Sequence, residues 1–111
     1  MLNTVHNIYH LNTEKLFSED EGYELVNLLM AITSKSKNTV NGLNSRLEYF
    51  KHQQDEADSI QFELNGQIQK WSDKVRRLGG IPLALYKVKI PTHGGYFIWE
   101  FPAIELEFFT S

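Results

Sequence analysis

The residues of this chain that could do chemistry are its histidines, a group of lysines and arginines, and several close carboxylates. His6 and His10 stand four apart. On a helix that spacing can hold one metal ion. On a strand the two would lie ~13 Å apart at ~3.3 Å per residue, too far to share one. Val5, Asn7, Tyr9 and Leu11 alternate with His6, Ile8 and His10, a mixed pattern that an edge strand over 5–11 tolerates. No metal site is therefore expected. His52 reads as part of a turn and His93 as part of a hairpin loop, both solvated. Glu105 and Glu107 are two apart and read as the solvated face of a strand. General acid–base work would require a cleft and perturbed pKa values.

The basic residues are more concentrated. Lys70, Lys74, Arg76, Arg77, Lys87 and Lys89 are six of the 11 lysines and arginines, with only Asp73 among them as an acid. If the strand carrying Lys87 and Lys89 folds back beside the helix end carrying the rest, they form one cationic patch. Such a patch suits a phosphate ligand, nucleic acid or an acidic protein. The plainer reading is that cations at a helix C-terminus complement its dipole. Gly79-Gly80 and Gly94-Gly95 lack the spacing of a phosphate-binding loop and read as a helix cap and a turn. No nucleophile–base pair is recognisable, so catalytic residues and cofactors are not expected and an enzyme is disfavoured. Trp71 and Trp99 read as core anchors.

Composition sets the frame. The 111 residues fit one domain, 1–111, and 41% hydrophobic content supports a modest core. There is no cysteine, hence no disulfide or thiolate chemistry. The formal charge of −3 is ordinary for a soluble protein and disfavours nucleic acid as a partner. No apolar run approaches the ~18 residues of a membrane span. Met1 to His10 has neither a basic start nor an apolar segment of the signal-peptide kind. A cytoplasmic location is the default expectation.

The elements that must position these residues begin with a helix start at Phe17-Ser18-Glu19-Asp20-Glu21. Ser18 and Glu21 form a capping box, and three acids sit in the first turn. Leu25, Leu28, Leu29, Ile32, Val40, Leu43, Leu47 and Phe50 then follow a helical period, giving a helix over 18–53. A second helix is expected over 57–78, with Asp55 or Asp58 as its N-cap. Its end is marked by Gly79 in the left-handed position and by Pro82. Stepping in fours and threes from Leu43 through Phe50, Gln54, Ala57, Gln61, Leu64, Ile68, Trp71 and Val75 gives the seam expected to join the two. Gly42 and Gly66 each weaken a helix, but the apolar phase runs across both. At 1.5 Å per residue the helices measure ~54 and ~32 Å. The surplus, Ser18 to about Thr33, therefore requires another surface.

Strands over 83–90, 95–101 and 104–110 would supply it, with a turn at Thr92-His93-Gly94-Gly95. The middle strand is apolar on both faces: Tyr96 and Ile98 on one, Phe97, Trp99 and Phe101 on the other. The fold class is α+β, a long antiparallel helical hairpin on a small antiparallel sheet. Helix one can cover only one face of the middle strand. The second must meet the other helix, another chain or a ligand.

The order strand, Phe17-Ser18-Glu19-Asp20-Glu21 helix start, Leu28-Leu29, Arg77-Leu78-Gly79 stop, and Trp99 followed six later by Glu105 resembles a short bacterial family, domain of unknown function twenty-two-oh-three. Members continue past the last strand with a His and then a Gly- and Arg-containing tail. Here Thr110 stands at the His position, so a function of that tail is not expected. The resemblance implies the fold and no catalytic residues. Two functional expectations follow. The first is a non-enzymatic interaction or scaffold module that forms a homodimer through Phe97, Trp99 and Phe101. The second is a binding module for an acidic partner through the Lys70–Lys89 group.

Overall fold

The computed structural model of the chain describes residues 15–111. The expected strand over 5–11, with His6 and His10, lies outside the described residues. Within them the fold is α+β: helices α1 (Glu19–Tyr49) and α2 (Gln54–Arg77), then strands β1 (Ile81–Ala84), β2 (Lys87–Thr92), β3 (Gly95–Glu100) and β4 (Glu107–Thr110). The strands form one antiparallel sheet in the order β1-β2-β3-β4.

The capping box forms as expected. The Glu21 amide donates to the Ser18 hydroxyl at 3.1 Å, and the Ser18 amide donates to the Glu21 carboxylate at 2.9 Å. This removes two of the unpaired donors at the start of α1. Both helices run unbroken through Gly42 and Gly66. At the end of α2, Gly79 takes φ +98°. Its amide donates to the Arg76 carbonyl and that of Gly80 to the Val75 carbonyl, each at 3.0 Å. These two bonds make a Schellman stop, which satisfies carbonyls that the helix leaves open.

Three expected boundaries shift. The helices part at Phe50–Gln53, earlier than expected, and α2 starts at Gln54 with Gln53 as an N-cap that makes no side-chain bond. Asp55 lies inside the first turn, and Asp58 accepts from the Gln54 amide at 2.7 Å instead of capping. With the turn placed there, the helical phase restarts. Ile60 takes the buried position of the seam, and Gln61 faces solvent. The expected strand over 83–90 is two strands, β1 and β2, joined at Leu85–Tyr86. Tyr86 has φ +65°, a conformation that disfavours a side chain by ~1 kcal/mol. Tertiary contacts hold it there. Its ring meets Trp71 and Phe101 edge-on, with centroids at 5.3 and 6.3 Å, and its hydroxyl lies 3.2 Å from that of Ser36. The last strand is shorter than expected: it starts at Glu107, and Ile104 is exposed.

Two cores result. The outer end of the hairpin is closed by Val40 and Leu43 against Ile60 and Leu64. The surplus half of α1 meets the sheet as its apolar stripe requires. Leu25, Val26 and Leu29, together with Trp71 and Val75 of α2, pack on Val88, Ile90, Phe97 and Trp99. Both helices therefore cover the same face of the sheet. At the joint between them the Trp71 indole donates to the Thr33 hydroxyl at 2.8 Å.

Candidate functional site

The expected interface residues do not lie on an accessible surface. Phe97 is 7% exposed and Trp99 is fully buried, with its indole donating to the Ala103 carbonyl at 2.7 Å. Phe101 is half-buried and packs against the same core. These side chains hold the helices to the sheet, so they are not available to a second chain. The strand is apolar on both faces as expected, and the face that carries Phe97, Trp99 and Phe101 is the one the helices cover.

The other side of the sheet is open. Leu83, Lys87, Lys89, Tyr96, Ile98, Glu100, Glu107 and Phe109 line a shallow concavity of about 340 Å³. Leu83 is 51% and Phe109 39% exposed, and Tyr96 and Ile98 are half-buried. The Tyr96 and Phe109 rings stack across β3 and β4 at 5.6 Å, and the Lys89 ammonium lies 4.8 Å from the Tyr96 ring centre. Register places Lys89, Ile98 and Glu107 in one row across β2, β3 and β4. Lys87 stands opposite Glu100. Among the described residues none of these four charges closes an ion pair. The face thus carries an apolar centre, cations on the β2 side and a carboxylate on the β4 side.

The expected cationic patch is divided by the fold. Lys87 and Lys89 belong to the open sheet face. Arg76 pairs with Asp73 at 3.6 Å and lines a separate hollow beside Pro82 and Leu85. Arg77 is exposed at the last turn of α2. Lys70 and Lys74 line a small cleft between the helices, where they are joined by Lys35 of α1. Nothing in the spacing of Lys35 separates it from other exposed helix lysines. It comes into the group only because α1 and α2 lie side by side.

Among the described residues no three His, Asp or Glu side chains gather closely enough to hold a metal ion. Glu21 and Glu48 are held below the usual carboxylate range. The Ser18 backbone amide is the main cause at Glu21, and the bond from Lys51 is the main cause at Glu48. Both belong to helix ends, where such bonds favour the ionised form. The Glu105 carboxylate accepts from the Tyr23 hydroxyl at 3.3 Å, and Glu107 faces the sheet concavity. The two carboxylates therefore do not act as a pair. No described helix is long and apolar enough to cross a membrane. Comparisons with protein-family models, with curated proteins and with solved structures give no match.

Proposed function

We propose that the chain is a non-enzymatic interaction module that pairs with a second copy of itself through the open face of its sheet. The observation that supports this is the layout of that face. An apolar strip of Leu83, Tyr96, Ile98 and Phe109 is bordered by Lys87 and Lys89 on the β2 side and by Glu107 on the β4 side, with Glu100 at one end beside Lys87, and none of these charges forms an ion pair among the described residues. A two-fold axis running along β3 sets Ile98 on its counterpart and brings Lys89 of each copy over Glu107 of the other. Ile98 and the Lys89–Glu107 pairs are then complementary across the contact, as an isologous contact requires, while Glu100, also on β3, meets its own counterpart and relies on Lys87 beside it in the sheet for its counter-charge. Sheets packed face to face keep their strands within about 30° of each other, which this axis permits.

The size of the face sets the strength of the pairing. Four strands at ~4.8 Å and six residues at ~3.3 Å give a patch of roughly 19 by 20 Å. That is about 380 Å² on each copy, roughly half of the about 800 Å² per partner that is standard, so the pairing is of the weak, transient class. The dimer is therefore concentration-dependent and sensitive to salt. Light scattering or sedimentation across a concentration series tests it. The wild-type chain should move from monomer to dimer, and Ile98→Asp should remain monomeric with an unchanged circular dichroism spectrum. Lys89→Glu and Glu107→Lys should each weaken the dimer, and the two together should restore it. A wild-type chain that stays monomeric throughout, or an Ile98→Asp variant that dimerises normally, would overturn the proposal.

A further inference from the structure

The cleft between the helices is a second surface, and its chemistry differs from that of the sheet face. Its walls are Ile32, Lys35, Ser36 and Thr39 from α1 and Gln67, Lys70, Trp71 and Lys74 from α2. Three lysines line this opening, and its walls contain no carboxylate. The acid nearest in sequence, Asp73, is already engaged: it accepts from the Gln69 amide at 2.9 Å and pairs with Arg76 at 3.6 Å. Lys35, Lys70 and Lys74 form no ion pair among the described residues. The neutral polar groups add to the donors. Gln67 presents an amide. The buried Ser36 hydroxyl lies 3.2 Å from the Tyr86 hydroxyl, and either can be the donor. The Thr39 hydroxyl is committed to the Lys35 carbonyl at 3.1 Å and adds no donor.

We infer that this cleft binds one small oxyanion of the phosphate class. Three lysines on one cleft with neutral polar neighbours and no acid in its walls match such an ion, since bonds to charged acceptors are the strong ones. Size makes the choice narrower. The enclosed part of the cleft is only about 40 Å³, so an anion would sit at its open mouth, and a nucleoside could not be enclosed. The only aromatic ring in the wall, Trp71, is buried and offers no platform for a base. Single-stranded nucleic acid, which needs exposed rings to stack on, is therefore disfavoured. The inference does not rest on the sheet-face dimer, because the two surfaces have no residue in common.

Titration of the wild-type chain with inorganic phosphate, at ionic strength held constant with chloride, tests it by amide and indole NMR. Saturable shifts are expected at Ser36, Gln67 and the Trp71 indole N–H. Lys70→Gln/Lys74→Gln should weaken binding by at least about tenfold, the scale of losing one charged hydrogen bond. Both positions lie on the polar side of α2, and glutamine keeps the helix propensity of lysine, so the fold should survive, as circular dichroism would verify. A control variant, Arg46→Gln/Lys51→Gln, removes the same charge elsewhere and should bind phosphate as the wild type does. Glycerol phosphate in place of phosphate separates the sources. Tighter binding of the ester assigns the cleft to a phosphate carried on a small molecule, and weaker binding assigns it to the free ion. Absence of saturable shifts, shifts confined to other lysines and arginines, or undiminished binding by the Lys70/Lys74 variant would overturn the inference.

Discussion

Thr33→Val would remove the acceptor of the Trp71 indole while keeping the shape of the side chain. Thr33 is fully buried, Trp71 is 3% exposed, and the bond between them measures 2.8 Å. In the variant the indole N–H stays buried without a partner, at a penalty of about 1–3 kcal/mol. The methyl group that replaces the hydroxyl is more at ease in the core and returns part of this, leaving a net loss of roughly 1–2 kcal/mol. Trp71→Phe removes the donor and leaves a gap beside Tyr86, a loss of about 2 kcal/mol. Once the indole is gone, the valine no longer strands a polar group. The double variant should therefore lose about 1 kcal/mol less than the two single losses combined. Urea unfolding reads this directly. With a slope near ~1.5 kcal/mol/M, Thr33→Val should lower the midpoint by about 1 M without changing the slope. A neutral Thr33→Val, or a cycle additive to within about 0.3 kcal/mol, would refute the claim that this bond is the joint between the helices. The matter bears on the proposed function because Trp71 walls the cleft between the helices and supports the turn at Tyr86.

Further outcomes test the interior of α2 and the helix ends. Gly66→Ala, where an added Cβ meets nothing within 4 Å, should stabilise the chain by about 0.8 kcal/mol in urea unfolding. Gly79→Ala, at φ +98° and with the Phe17 ring 2.9 Å from the added carbon, should destabilise it by at least about 1 kcal/mol in the same assay. Ser18→Ala should lower stability by about 1 kcal/mol by opening the capping box. Because the Ser18 amide holds the folded Glu21 carboxyl below its ordinary pKa, the contribution of Glu21 is present at neutral pH and is lost as pH falls through that lowered value. An acid titration of stability in which Glu21→Gln leaves the slope unchanged would contradict this.

The parts of the fold that were legible in the sequence are those set by local chemistry. Ser18 with Glu21, and Gly79 before Pro82, mark helix ends because the backbone groups they satisfy lie within a few residues. The sheet-facing half of α1 was legible because its stripe was too long for its partner helix. The turn at Leu85–Tyr86 was not. It contains no Gly, Asn or Asp, and its positive φ is held by Trp71, Phe101 and Ser36, all distant in sequence. The helix–helix turn failed for a related reason. The backbone bends at Phe50–Gln53 without a side-chain cap, so the acids downstream looked like the cap and the seam was stepped one residue out of phase at Gln61. The segment of β3 is apolar on both faces, and a strand of that kind does not say which face the helices take. Two helices of unequal length both fit over Phe97 and Trp99, and that choice left Tyr96 and Ile98 outside.

Charge shows the same division between what sequence distance implies and what the fold decides. Lys70, Lys74, Lys87 and Lys89 lie close along the chain and look like one cationic group. The sheet separates them by turning β2 toward its open face, where Lys87 and Lys89 share the surface with Glu100 and Glu107. That surface holds both signs, which is the basis for the proposed pairing with a second copy. The two lysines that remain on α2 gain Lys35 and no acid, so their cleft carries a single sign and is complementary to an anion. The net charge of −3 describes neither surface. A chain that is acidic as a whole can still present a cationic cleft, because local potential follows the nearest side chains once screening confines each charge to about 10 Å.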